Sequence, residues 1–122
     1  MSLYRYQADT VVNLKGNILN EDIGINTISS FVPIIKKGCK LPCMESRTFS
    51  TADDHMDSMI ITLDRASTDK GIVPIGKYKI TGFESKKRTK VRITVMFWAD
   101  KKGIWLTAKD IATGNRLHIT KL

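Results

Sequence analysis

The chain has 122 residues, 42 % of them hydrophobic, with 20 basic against 12 acidic side chains and a formal net charge of +8. That size supports one domain with its own core. The apolar share excludes global disorder, and no apolar run reaches the roughly 18 residues of a membrane-spanning helix. No basic segment followed by an apolar one opens the chain, so no signal peptide is expected and the expected location is the cytoplasm, with an organelle as the alternative. Cys39 and Cys43 are too few for a disulfide scaffold and read as free thiols of a reducing compartment. The basic excess favours acidic partners without naming one.

Residues 1–21 read as an arm, a linker or an expression remnant, because Leu3 to Val12 shows neither alternation nor a helical stripe. A single domain is expected over 22–122. Ile23, Ile25 and Thr27 alternate with Asp22, Gly24 and Asn26, which predicts a strand. Ser29-Ser30 turns the chain, and Phe31 to Ile35 follows as an apolar strand. Lys36-Lys37-Gly38 is a turn, Met44 to Ala52 is extended, and Asp53 to Asp57 is a polar loop. Met59, Ile61 and Leu63 share a strand face. Asp64 to Val73 reads as a polar loop, and Ile75 to Phe83 as a strand. Val91, Ile93, Val95 and Phe97 mark the clearest strand, with Arg92, Thr94 and Met96 on its other face. Asp100 to Gly103 is a hairpin turn. Ile104 to Ala108 and Arg116 to Thr120 are expected to pair around Thr113-Gly114-Asn115. About eight short strands with no long amphipathic helix predict an all-β, antiparallel sandwich.

Two motifs go further. Phe49-Ser50-Thr51-Ala52 is followed by two carboxylates, and Ala108-Lys109-Asp110-Ile111-Ala112-Thr113-Gly114 lies near the C-terminus. With Gly24-Ile25-Asn26-Thr27-Ile28 before them, these pieces resemble the substrate-binding β domain of the heat-shock-70 chaperones over about residues 22–121. In that family, loops at one end of a β sandwich form a channel for an extended peptide. The resemblance implies that Ile28 and Ala52 form an arch over the peptide, and that Ile25 and Thr27 line the channel. It implies that Phe49 and Ser50 belong to the opposite wall, and that Met59, Ile61 and Ile93 line a pocket for one aliphatic side chain. It implies a chaperone module without catalysis, whose partners are extended segments of unfolded polypeptides and a co-chaperone. No cofactor is expected within these residues. ATP enters only if the whole protein carries a nucleotide-binding domain. The sequence departs from the family at Ile18 to Ile23, which does not match the family's linker. Ser29-Ser30 stands in place of a Gly-Gly pair, and Lys86-Lys87-Arg88 fills a shortened loop.

The residues also allow other readings. Ile25, Ile28, Met59, Ile61 and Ile93 could be plain core. Cys39 and Cys43 with His55 and His118 would be needed for a zinc site, but nothing in the sequence groups them, and no metal is expected. Asp53-Asp54-His55 with Asp57 reads as a turn whose carboxylates cap backbone amides rather than a catalytic cluster. Lys86, Lys87, Arg88, Lys90 and Arg92 could track phosphates. Aromatic residues make up only 7 %, without base-stacking alternation, so nucleic-acid binding is the alternative rather than the main reading. A further alternative is a degenerate relative whose surface serves protein interaction. Membrane binding is not expected.

Overall fold

The computed structural model describes residues 5–27, 29–67 and 69–122. Among them are eleven strands: β1 (Tyr6–Asp9), β2 (Leu14–Lys15), β3 (Ile18–Leu19), β4 (Asp22–Asn26), β5 (Phe31–Ile35), β6 (Cys43–Phe49), β7 (Ser58–Ser67), β8 (Gly71–Thr81), β9 (Ile93–Asp100), β10 (Gly103–Asp110) and β11 (His118–Lys121). A single 3₁₀ turn at Arg88–Lys90 interrupts them. The strands build an antiparallel β sandwich. One sheet has the order β1-β10-β9-β6, the other β11-β8-β7-β4-β5, and β2 with β3 forms a small separate hairpin.

The period-two alternation seen in the sequence places the core. Ile93, Val95, Phe97 and Ala99 of β9 and Ile104, Leu106 and Ala108 of β10 face inward from the four-stranded sheet. Ile23 of β4, Met59, Ile61 and Leu63 of β7, and Tyr78 and Ile80 of β8 meet them from the five-stranded sheet. Each large side chain so buried contributes roughly 1.5–3 kcal/mol. At Gly24 the pairing partner β5 comes so close that a Cβ would collide with the Val32 carbonyl oxygen and lie 2.8 Å from the Pro33 Cα. Only glycine fits there.

Four expectations are corrected. First, the N-terminal residues include a sheet strand: β1 pairs with β10, with Tyr6 opposite Leu106 and Gln7 opposite Trp105. The strand is short and its alternation is broken by a register shift between Gln7 and Asp9, which hides it from periodicity. Second, Asp64 to Val73 is mostly strand rather than loop. β7 and β8 pair from Ser58↔Thr81 to Ser67↔Gly71, with a bulge after Leu63. The polar residues are used in place: the Arg65 guanidinium donates to Asp9 and to both carboxylate oxygens of the fully buried Glu21. Asn13 donates to Glu21 from both its backbone and its side chain. A buried pair of this kind is costly to break, because the partner left behind keeps an uncompensated charge. Third, β11 pairs with β8 in the opposite sheet. The chain leaves β10 through a turn closed by the Asp110 N–H to Asn115 carbonyl and Gly114 N–H to Asp110 carbonyl bonds, keeps the Lys109↔Arg116 bridge and the Leu117 N–H to Ala108 carbonyl bond, then crosses over. The turn residues specified the turn but not the next partner. Fourth, Cys39 and Cys43 are joined as a disulfide and are not free thiols. Their loop is drawn in because Leu19 and Asn17 hydrogen-bond to its backbone at Cys39, Gly38 and Leu41.

On the outer face of the four-stranded sheet, Trp98 and Trp105 stand directly opposite each other. The Arg5 guanidinium lies over both rings, 4.1 and 4.5 Å from their centroids, and reaches Asp100 at 3.8 Å. The Trp105 indole also donates to Asp100.

Two outcomes follow from this packing. Tyr78 is fully buried, donates its hydroxyl to the Ala8 carbonyl at 3.0 Å, and meets Tyr6 edge-on. Burial first, then Tyr6 and Asp9, push its phenol up to about 12, against a smaller opposing pull from Arg65. The neutral phenol is the form the fold favours. Its contribution, at most about 3 kcal/mol, is therefore complete below the ordinary value near 10 and is lost as pH rises towards about 12. Chemical denaturation across this alkaline window should show falling stability in the wild type and a flatter profile in Tyr78→Phe; identical profiles would contradict the assignment. Thiol titration of the denatured, unreduced protein should find no free cysteine, and reduction should lower stability by roughly 2 kcal/mol.

Candidate functional site

β4 and β7 pair at four positions, Asp22↔Ala66, Ile23↔Arg65, Gly24↔Asp64 and Ile25↔Leu63, and then part. Each keeps its other neighbour: β4 runs on against β5 to Asn26↔Phe31, and β7 against β8 to Ser58↔Thr81. Two hairpins therefore diverge like prongs. The β4–β5 tip is closed by the Thr27 N–H and hydroxyl, both donating to the Ser30 carbonyl. Opposite it, the chain leaves β6 at Phe49 and turns through Ser50 to Asp57 before entering β7.

Between the prongs and this loop lies an open cavity of about 600 Å³. Ile25, Phe49, Met56, Met59 and Ile61 supply apolar lining, and Thr27, Ser50 and Ala52 line it too. The loop is held in shape by its own polar groups. The buried Thr51 hydroxyl donates to the Asp53 carbonyl. His55 adopts a left-handed φ of 59° and donates its N–H to the Lys86 carbonyl. Asp54 accepts the Arg88 N–H at 2.9 Å. The Asp54 carboxylate thus braces backbone, and with the His55 N–H it ties the loop to the basic segment Lys86-Lys87-Arg88.

Of the residues singled out from sequence, Ile25, Thr27, Phe49, Ser50, Ala52, Met59 and Ile61 come together at this one cavity. Ile93 does not line it. It is fully buried opposite Phe49 in the β6–β9 pair, one layer below. Ile28 lies outside the described residues. Sequence reasoning passed over Asn26, Ser29, Met56, Ser58, Ile60 and Thr62, which also line the cavity. Ile60 carried a signal, an apolar residue on the polar side of an alternating strand, and it is 57 % exposed. Among the described residues no group of three or more His, Cys, Asp or Glu is placed to hold a metal.

The difference between floor and lining is measurable. Ile93→Ala should cost about 2–5 kcal/mol, as an excised core side chain does. Ile25→Ala, at a half-buried position facing the cavity, should cost less than about 1.5 kcal/mol. Equal losses in denaturant unfolding would show that both are core.

The geometry meets independent comparisons. The family model described as Hsp70 protein matches residues 18–121. The mitochondrial heat shock 70-related protein 1 of Leishmania major is 34 % identical over 94 residues, which is 74 % of this chain and 15 % of that protein. The chaperone protein DnaK of Elusimicrobium minutum (strain Pei191) is 29 % identical over 102 residues, 80 % of this chain and 16 % of that protein. The chain thus spans about one-sixth of the length of these relatives. Matched over most of its own length, the chain belongs to the Hsp70 protein family.

Proposed function

We propose that this domain holds short extended apolar segments of unfolded polypeptides, without covalent chemistry, in the slot between the β4–β5 tip and the Phe49–Asp57 loop. The observation that carries this reading is the open cavity beside a strand edge that has lost its partner. Among the described residues, β7 from Ser58 to Thr62 pairs with β8 on one side only, and these residues line the cavity. Alternate residues of that edge offer N–H and C=O groups to an extended chain, and such bonds ignore the guest's sequence. Each contributes about 0.5–1.5 kcal/mol net. One aliphatic side chain resting among Ile25, Phe49, Met59 and Ile61 adds roughly 1.5–3 kcal/mol. Ordering the peptide removes several kcal/mol of that sum, which leaves micromolar affinity and broad tolerance. Chaperone membership of the matched relatives agrees with this role. The neighbouring Lys86, Lys87 and Arg88 disfavour guests with basic flanks.

A fluorescent heptapeptide with a central Leu should bind with a Kd of about 1–100 µM. Met59→Trp, which fills the slot, and Ile61→Asp, which puts a charge in it, should abolish binding while circular dichroism retains the β signature. No anisotropy change at high micromolar protein would refute the reading. An oligonucleotide shift falling steeply with salt would redirect it to nucleic acid.

A further inference from the structure

We infer that Asn26 and Asp64 are a positioning pair that fixes where the two hairpins part, and so the width of the slot; this rests on the peptide-slot reading above. Asp64 lies in β7 directly opposite Gly24, at the last but one position where β4 and β7 are paired. Asn26, two residues beyond Gly24, projects to the same side of β4 and sits diagonally across from Asp64. Its Nδ2 donates to Asp64 Oδ2 at 2.8 Å. The carboxylate is only 3 % exposed, and this is the one hydrogen bond its side chain makes among the described residues. A buried acceptor that loses its donor carries the whole desolvation cost, so the carboxylate holds the carboxamide firmly at the crotch of the fork.

The consequence is steric and local. Asn26 lines the cavity, and the next register in the β4–β7 ladder would set it against Thr62, then Thr27 against Ile61. If the ladder closed by those two steps, the free edge of β7 would be covered by the protein's own β4. Turning the Asn26 side chain back onto Asp64 ends the ladder at Ile25↔Leu63 and leaves Thr62, Ile61 and Ile60 for a guest. Asp64 itself does not line the cavity. The pair acts through the position of the β4 tip.

A swap experiment separates this role from simple stability. Asn26→Asp alone sets two carboxylates against each other and should release bound heptapeptide about tenfold faster than wild type. Asn26→Asp combined with Asp64→Asn rebuilds the bond with donor and acceptor exchanged, and should restore the off-rate to within about threefold of wild type. Ile104→Val, a core change in the other sheet, should lower the melting temperature and leave the off-rate unaltered. An Asn26→Asp off-rate equal to wild type, a swap that folds without restoring it, or an Ile104→Val off-rate raised to the same extent overturns the positioning role. A wild type that binds no heptapeptide removes the slot reading and this one together, whereas wild-type binding with an indifferent Asn26→Asp removes this one alone.

Discussion

Everything in the five-stranded sheet is organised by β7, a ten-residue strand with a full-length neighbour on one side and a partner for only part of its other edge. Backbone amides and carbonyls need partners or solvent. Along Leu63 to Ala66 the partner is β4, and the outcome is a closed, dry sandwich. Along Ser58 to Thr62 no described residue pairs with that edge, and the surrounding loops form a cavity over it. Fold and candidate function are two ends of the same strand.

Much of this was legible in the amino-acid sequence where one face of a strand is buried and the other is wet. Ile93 to Phe97 and Met59 to Leu63 alternate because they sit on such strands, and their buried members are those expected, while Val91 is buried just ahead of β9. The paired motifs around Phe49 and Ala108 brought seven candidate residues to one cavity, because loops at the end of a sandwich are spaced by strand length. Legibility failed where polarity was structural. Arg65 and Glu21 looked like loop or linker residues, yet they are partners in a buried ion pair that anchors the N-terminal segment. Ile93 was placed in the pocket, and it belongs to the layer beneath, since periodicity reports the face of a strand and not how deep along it a cavity reaches. The crossover of β11 depends on distances between segments that local pattern does not encode, whereas Cys39 and Cys43 lie four residues apart and read as thiols from their small number alone.

The sheet edges are handled differently from the slot. β6 is a long outer strand whose Glu45 and Arg47 point to the same side as the core residues Cys43 and Phe49, but remain exposed and pair with each other at 3.6 Å. Inward-pointing charge on an outer strand discourages a foreign strand from adding there. β5, the outer strand of the other sheet, carries Pro33, which removes one backbone donor. With these edges blunted, the Ser58 to Thr62 stretch of β7, paired on one side only among the described residues, is the edge that the proposed guest would occupy.

The stacking of Arg5 on Trp98 and Trp105 has a practical corollary. Both indoles lie on the outer surface of the four-stranded sheet, and neither lines the cavity, so all of the chain's tryptophan emission originates beside the N-terminal strand. Its colour and intensity therefore report whether that strand is seated against β10, and the slot is optically silent until a chromophore is brought to it.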